Sequence, residues 1–189
     1  MRKRVVGGAM AAAGLALAVV GVPALAQQQW GYTDKYPEID SVPQGSFAGR
    51  LLETHNRERI RMGVPPLAWD PKLARDAQEW ANVIARKQTL THASRMDRNG
   101  AGENLWVGVK GYYTAEEMIE TFIDEKQYYR PGTFPKVSTT GQWADVGHYT
   151  QLIWRETEKV GCAVAPGGGQ DWLVCRYYPA GNTMGRPVL

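Results

Sequence analysis

GHYTQLIWRET, residues 147–157, is the stretch on which the reading of the fold turns. It sets His148, one of only three histidines in the chain, at the head of a short apolar run, 149–154. Six residues of that character suit either a helix or a strand, and periodicity alone does not choose between them. Downstream lie two runs rich in strand formers, 160–165 and 172–178, separated by Pro166-Gly167-Gly168-Gly169. Such a turn signal between such runs predicts a hairpin. The only two cysteines, Cys162 and Cys175, flank that turn, and their midpoint falls between Gly168 and Gly169. The register therefore sets them opposite each other. They form either a disulfide worth about 3 kcal/mol or two reduced thiols, one per strand, and the register favours the bond.

Upstream, the spacing predicts three helices. Ala48, Leu51, Leu52 and His55 share one face of a helix over residues 46–62, with Ser46 as N-cap and Gly63 as the stop. Asp70 followed by Pro71 starts the second, whose apolar stripe is Leu73, Ala77, Trp80, Ala81 and Ile84. Thr114 with Glu117 three residues later is a capping-box pair opening the third. Its buried face is Ala115, Met118, Ile119 and Phe122, and Glu125 continues on the same side. Between the second and third helices come a loop with His92, the turn Asn99-Gly100 and a short strand over 103–109. Residues 128–143 form a loop rich in Pro, Gly, Ser and Thr. Helices flanking a small antiparallel sheet indicate an α+β fold of three α-β-α layers.

The N-terminus reads differently. Arg2, Lys3 and Arg4 precede a charge-free run over 5–22, and Ala24-Leu25-Ala26 has the small-x-small pattern that signal peptidase cuts. Residues 1–26 are thus read as a secretory signal peptide. The rival is an uncleaved anchor, since the run is near the minimum spanning length; the cleavage pattern favours the leader and hence no stable membrane span. Residues 27–45 read as an extended arm, and residues 46–189 as one domain. The chain holds 22 Lys and Arg against 19 Asp and Glu. Removing residues 1–26 takes away three basic residues and no acidic one, leaving 19 of each sign. A neutral exported domain carries no electrostatic footprint for nucleic acid.

Four motifs in order carry a resemblance to a known family. They are His55-Asn56-x-x-Arg59, Gly102-Glu103-Asn104-Leu105, GHYTQLIWRET, and WLVCRYYPAGNT over 172–183. Together they resemble the signatures of the CAP superfamily, the cysteine-rich secretory, antigen 5 and pathogenesis-related 1 proteins. The resemblance spans residues 46–189 and implies an α-β-α sandwich with a central cleft. The plain leader, the two cysteines and the lack of extra modules point to a bacterial member, expected to be secreted or periplasmic; a monomer is the separate expectation for its assembly.

In relatives the cleft holds two histidines and two acidic residues, which by motif are His92, Glu103, Glu125 and His148. Two imidazoles offer neutral nitrogen ligands for zinc or another divalent cation. Two carboxylates can hydrogen-bond the other ring nitrogens and set the tautomer. The competing reading is a hydrogen-bonded His–Glu cluster that steadies the cleft and binds nothing. His55, Asn56, Arg59 and Asn104 are expected to be structural, pinning helix and strand to neighbouring backbone.

Three function classes remain open on the sequence. The first is a non-enzymatic binder of lipid, sterol or another extracellular ligand, with Tyr128, Tyr129, Phe134 and Trp143 as aromatic loop candidates. The second is a hydrolase using Glu103, Glu125 and His148, with Ser94 or Ser138 as hydroxyl, although no nucleophile-elbow signature surrounds either serine. The third is an extracellular protein-interaction module.

Overall fold

A computed structural model of the chain describes residues 42–189. The expected leader and the arm up to residue 41 lie outside the described residues.

Local sequence signals set the helix starts. Helix α1, Phe47–Arg61, is capped by the Ser46 side chain, which accepts from the Gly49 amide. Helix α2, Pro71–Lys87, has Asp70 accepting from the Lys72 and Leu73 amides. Helix α3, Ala115–Ile123, opens with the reciprocal Thr114–Glu117 capping box. Each cap satisfies amides that a helix start otherwise leaves unpaired. The apolar run after His148 resolves as a helix, α4, Gly147–Leu152.

Strand β2 is Gly102–Val109, and β3, Lys159–Gly167, and β4, Gln170–Tyr178, form the hairpin. Cys162 pairs directly with Cys175 in the hairpin register and the two form a disulfide. The sheet has one more strand than the sequence reading finds. Ala68–Trp69, in the connection between α1 and α2, makes a two-residue strand β1 that runs parallel to β3. The order is β1-β3-β4-β2, so three antiparallel strands carry a short parallel addition on one edge. Two residues leave no periodicity to read, which is why β1 is invisible before folding.

Alternation along the strands divides the core into two layers. On one face Leu173, Cys175, Tyr177, Trp106, Val160 and Cys162 pack with Leu51, Leu52, Met118, Ile119, Phe122, Leu152 and Ile153 of α1, α3 and α4. On the other, Trp172, Val174, Leu105 and Ala165 pack against Ala77, Ala81, Ile84 and Ala85 of α2. Helix α2 lies very close to β3. A Cβ added at Gly161 would sit 2.3 Å from the Ala74 backbone nitrogen and 2.6 Å from the Asp70 carbonyl. A hydrogen in place of a side chain is what lets the helix start descend onto the sheet.

Candidate functional site

The site grows from β2. Consecutive strand residues point to opposite faces, so Glu103 and Asn104 serve different layers. Glu103 faces the α2 side, and its carboxylate is fully buried. Oε1 accepts from His92 Nδ1 at 2.6 Å and from the Ala93 amide at 3.1 Å. Oε2 lies 3.1 Å from Nη2 of Arg176, the residue directly opposite on β4. That contact is a close ion pair without the alignment of a hydrogen bond, since Oε2 has no hydrogen-bond partner. A buried carboxylate needs such pairing to stay charged. The His92 ring stands more than half exposed beside it.

The second acidic residue reaches its histidine from another element. The continuation of the third helix expected at Glu125 tightens instead: α3 ends at Ile123 and Glu125 lies in the 3₁₀ turn Asp124–Tyr128, as helix ends commonly do. From there Glu125 Oε1 accepts from His148 Nδ1 at 2.5 Å, and Oε2 accepts from the His148 and Tyr149 amides at 2.9 and 3.0 Å. The carboxylate thereby meets the first turn of α4, where unpaired amides favour negative charge. The His148 ring stacks on Phe122, with centroids 5.0 Å apart and planes 16° from parallel.

The four polar side chains thus form two His–Glu pairs, and the backbone of the second is bonded by Asn104, the neighbour of Glu103 in β2. Its Nδ2 donates to the His148 carbonyl at 3.0 Å and to the Tyr177 hydroxyl at 3.2 Å. Tyr177 in turn bonds His55 Nε2 at 2.8 Å, and His55 Nδ1 donates to the Leu51 carbonyl at 2.7 Å. Because Nδ1 must carry the proton to reach a carbonyl, Nε2 accepts from the tyrosine. Burial pushes the His55 pKa down to about 4, so the ring is neutral at pH 7. Asn56 bonds both the amide and the carbonyl of Leu67. Arg59 donates to the carbonyls of Pro65, Leu152, Trp154 and Thr157.

One supporting group was not singled out from the sequence. Glu58 of α1 is buried, and its Oε1 accepts from Lys126 Nζ at 2.7 Å and from the Tyr149 hydroxyl at 2.9 Å. Lys126 and Tyr149 each follow a member of the second His–Glu pair, so one buried carboxylate clamps both segments from behind. Burial, reinforced by Glu58, raises the Tyr149 pKa and keeps that hydroxyl a donor. A charged residue on the α1 face that also carries His55 and Arg59 was the available signal.

A cleft of about 630 Å³ opens beside the first pair, lined by His92, Glu103 and Gln151 and walled by Phe134, Trp143 and Met184. Of the aromatic loop candidates, Phe134 and Trp143 line it, whereas Tyr128 and Tyr129 do not. Tyr129 packs edge-on against Tyr149, and Tyr128 is partly exposed at the end of the 3₁₀ turn. His148 and Glu125 also lie outside the lining. Ser94 Oγ donates to Asp97, and Ser138 Oγ bonds the Thr140 hydroxyl, so neither hydroxyl meets an imidazole.

Among the described residues, one group of three potential ligand residues comes within 4.8 Å: His55, Cys162 and Cys175. Its cysteines are a disulfide and offer no thiolate. The two His–Glu pairs fit a cation differently. Each glutamate occupies Nδ1, and Nε2 of either ring has no hydrogen-bond partner among the described residues. A carboxylate on the far ring nitrogen is the arrangement that orients a metal-ligating imidazole. Each ring therefore offers one neutral nitrogen of the kind a cation takes, not a closed protein cage.

Comparison with known proteins places this geometry. The profile of the Cysteine-rich secretory protein family (CAP) matches residues 52–177. Pathogenesis-related protein 1A of Nicotiana tabacum is 38% identical over 71% of this chain and 76% of its own. The Golgi-associated plant pathogenesis-related protein 1 of Homo sapiens is 31% identical over 73% of this chain and 86% of its own. Among solved structures, NaASP2 with Zn2+ superposes with a TM-score of 0.66 at 26% identity, covering 76% of this chain and 85% of that one. The profile spans α1 through β4 and takes in all four polar residues of the two pairs, so this chain belongs to the cysteine-rich secretory protein (CAP) family.

Proposed function

We infer that this secreted protein is a non-catalytic binder. Its two His–Glu pairs hold a divalent cation, and its cleft takes an apolar ligand against Phe134 and Trp143. The observation that carries the cation reading is the matched state of the two rings, each with Nδ1 given to a glutamate and Nε2 left to donate its lone pair. Imidazole nitrogen suits zinc, and NaASP2, the similar structure above, was solved with that ion. Two protein ligands make a weaker site than the three or four of dedicated zinc sites.

The same hydrogen bonds argue against catalysis. A general base needs an oxygen free to take a proton. Glu103 Oε1 is engaged by His92 and Ala93 and its buried Oε2 is ion-paired with Arg176, while Glu125 is engaged by three donors from His148 and Tyr149. Calorimetric titration of zinc into wild type, His92→Ala and His148→Ala at pH 7.5 tests the cation reading. Affinity should fall at least about tenfold in each variant, the scale seen when a ligand's supporting partner is lost. Unchanged affinity in both would remove it.

A further inference from the structure

A cluster of metal-ligating side chains lies apart from both His–Glu pairs, in the core between α1 and the hairpin. Cys175 and Tyr177 are two residues apart on β4 and so share its α1-facing side. Cys162 of β3 stands directly opposite Cys175, and His55 meets them from α1. The potential ligand atoms of His55, Cys162 and Cys175 all lie within 4.8 Å of one another, and all three residues are buried. Ligands around a tetrahedral zinc stand about 3.6 Å apart, a spacing that side-chain rotation reaches once the sulfurs are no longer bonded to each other. The imidazole is already prepared. Its Nδ1–H is given to the Leu51 carbonyl at 2.7 Å, the kind of backbone bond that orients a metal-ligating histidine. Its Nε2 keeps a lone pair, used in the oxidised protein by the Tyr177 hydroxyl at 2.8 Å. Burial keeps that nitrogen unprotonated at neutral pH. Two thiolates and one zinc ion together carry no net charge, which suits a buried site. The Tyr177 hydroxyl, released from Nε2, is then placed to donate to a thiolate.

We propose that this cluster becomes a zinc site when the Cys162–Cys175 bond is reduced, with both cysteines binding as thiolates and His55 binding through Nε2. A dithiol reductant supplies two electrons and two protons and is itself oxidised to a disulfide, which turns the bond into two thiols; zinc then displaces both thiol protons to water. The disulfide joins only β3 to β4, whereas the metal also ties α1 to them. A chain folding in reducing surroundings is thereby cross-linked by zinc where the oxidised chain has its disulfide. The site is independent of the cation reading of the two His–Glu pairs.

The test uses full-length His92→Ala/His148→Ala protein, in which His55 is the only histidine and the two His–Glu pairs offer no imidazole. A trialkylphosphine reduces the bond, taking the oxygen of one water and leaving that water's two protons on the sulfurs, and it competes for zinc less than a dithiol does. Cobalt(II) is then titrated in, followed by zinc. The reduced protein should take one cobalt per chain with a thiolate-to-cobalt band in the near ultraviolet, and lose that band to an equivalent of zinc. The oxidised protein should show no such band. Its absence from the reduced protein would overturn the proposal. Zinc should raise the urea midpoint of the reduced protein and leave that of the oxidised protein unchanged. An unmoved midpoint in the reduced protein would place the metal equally on the unfolded chain and overturn the site. His55→Gln in the same background should weaken zinc at least about tenfold; equal affinity would assign the metal to the thiols alone and overturn the role of His55. Should that variant fail to fold, the nitrogen resonances of the single histidine decide: a zinc-dependent shift of Nε2 supports the proposal, and an unmoved one overturns it.

Discussion

The sharpest test of how the site is held concerns Arg59, far from any exposed surface. The guanidinium is completely buried and donates to four carbonyls at 2.6 to 2.9 Å. One belongs to Pro65, in the connection after α1; the others, Leu152, Trp154 and Thr157, are the last residue of α4 and the loop that follows. Helix ends leave carbonyls without intrahelical partners, and here one side chain from another helix satisfies them. Arg59→Met keeps the length of the side chain and deletes every donor. Each buried acceptor left unpaired costs about 1–3 kcal/mol, so four of them would cost roughly 6 kcal/mol. Removing a buried charge also removes its desolvation cost, which brings the expected net loss to about 4 kcal/mol. That is a large part of the 5–15 kcal/mol typical of a domain. Arg59→Lys keeps the charge and loses the fork, and should fall about halfway between. Equilibrium urea unfolding of the three proteins measures this directly. An Arg59→Met protein within about 1 kcal/mol of wild type would refute the assignment of these carbonyls to this guanidinium.

Two further outcomes follow from buried groups. His55 has its pKa depressed from 6.5 to about 4 by burial. Between those values the unfolded chain binds a proton that the folded one does not. Stability is therefore fully present above pH 6.5 and lost as pH falls toward 4, by about 3 kcal/mol at most. Urea unfolding at pH 7.5 and 4.5 should show wild type losing about 2 kcal/mol more than His55→Gln over that interval, and equal losses would contradict it. The Cys162–Cys175 bond closes a loop with a sequence separation of 13, which the chain-entropy account values at about 3 kcal/mol. The Cys162→Ser/Cys175→Ser double variant should melt several degrees lower, with the hairpin register kept; an unchanged midpoint would show that the hairpin closes as readily without the link.

What the sequence alone determined is what neighbours in the chain determine. Ser46, Asp70 and the Thr114–Glu117 pair cap their own helices, because capping needs only the next three residues. The hairpin and its cysteine pairing follow from a turn and a register counted outward from it. The histidines stood out as the only three in the chain, and family motifs alone grouped His92 and His148 with Glu103 and Glu125. Only the tertiary structure decided which imidazole meets which carboxylate: His92 with Glu103 across the β2 edge, His148 with Glu125 across the start of α4. It alone brought Glu58 beneath Lys126 and Tyr149, set Arg176 opposite Glu103, and added β1 to the sheet. These contacts join residues whose separation in sequence carries no period. They form only after sheet register and loop path have fixed where each backbone lies, and so they are consequences of packing that no local pattern encodes.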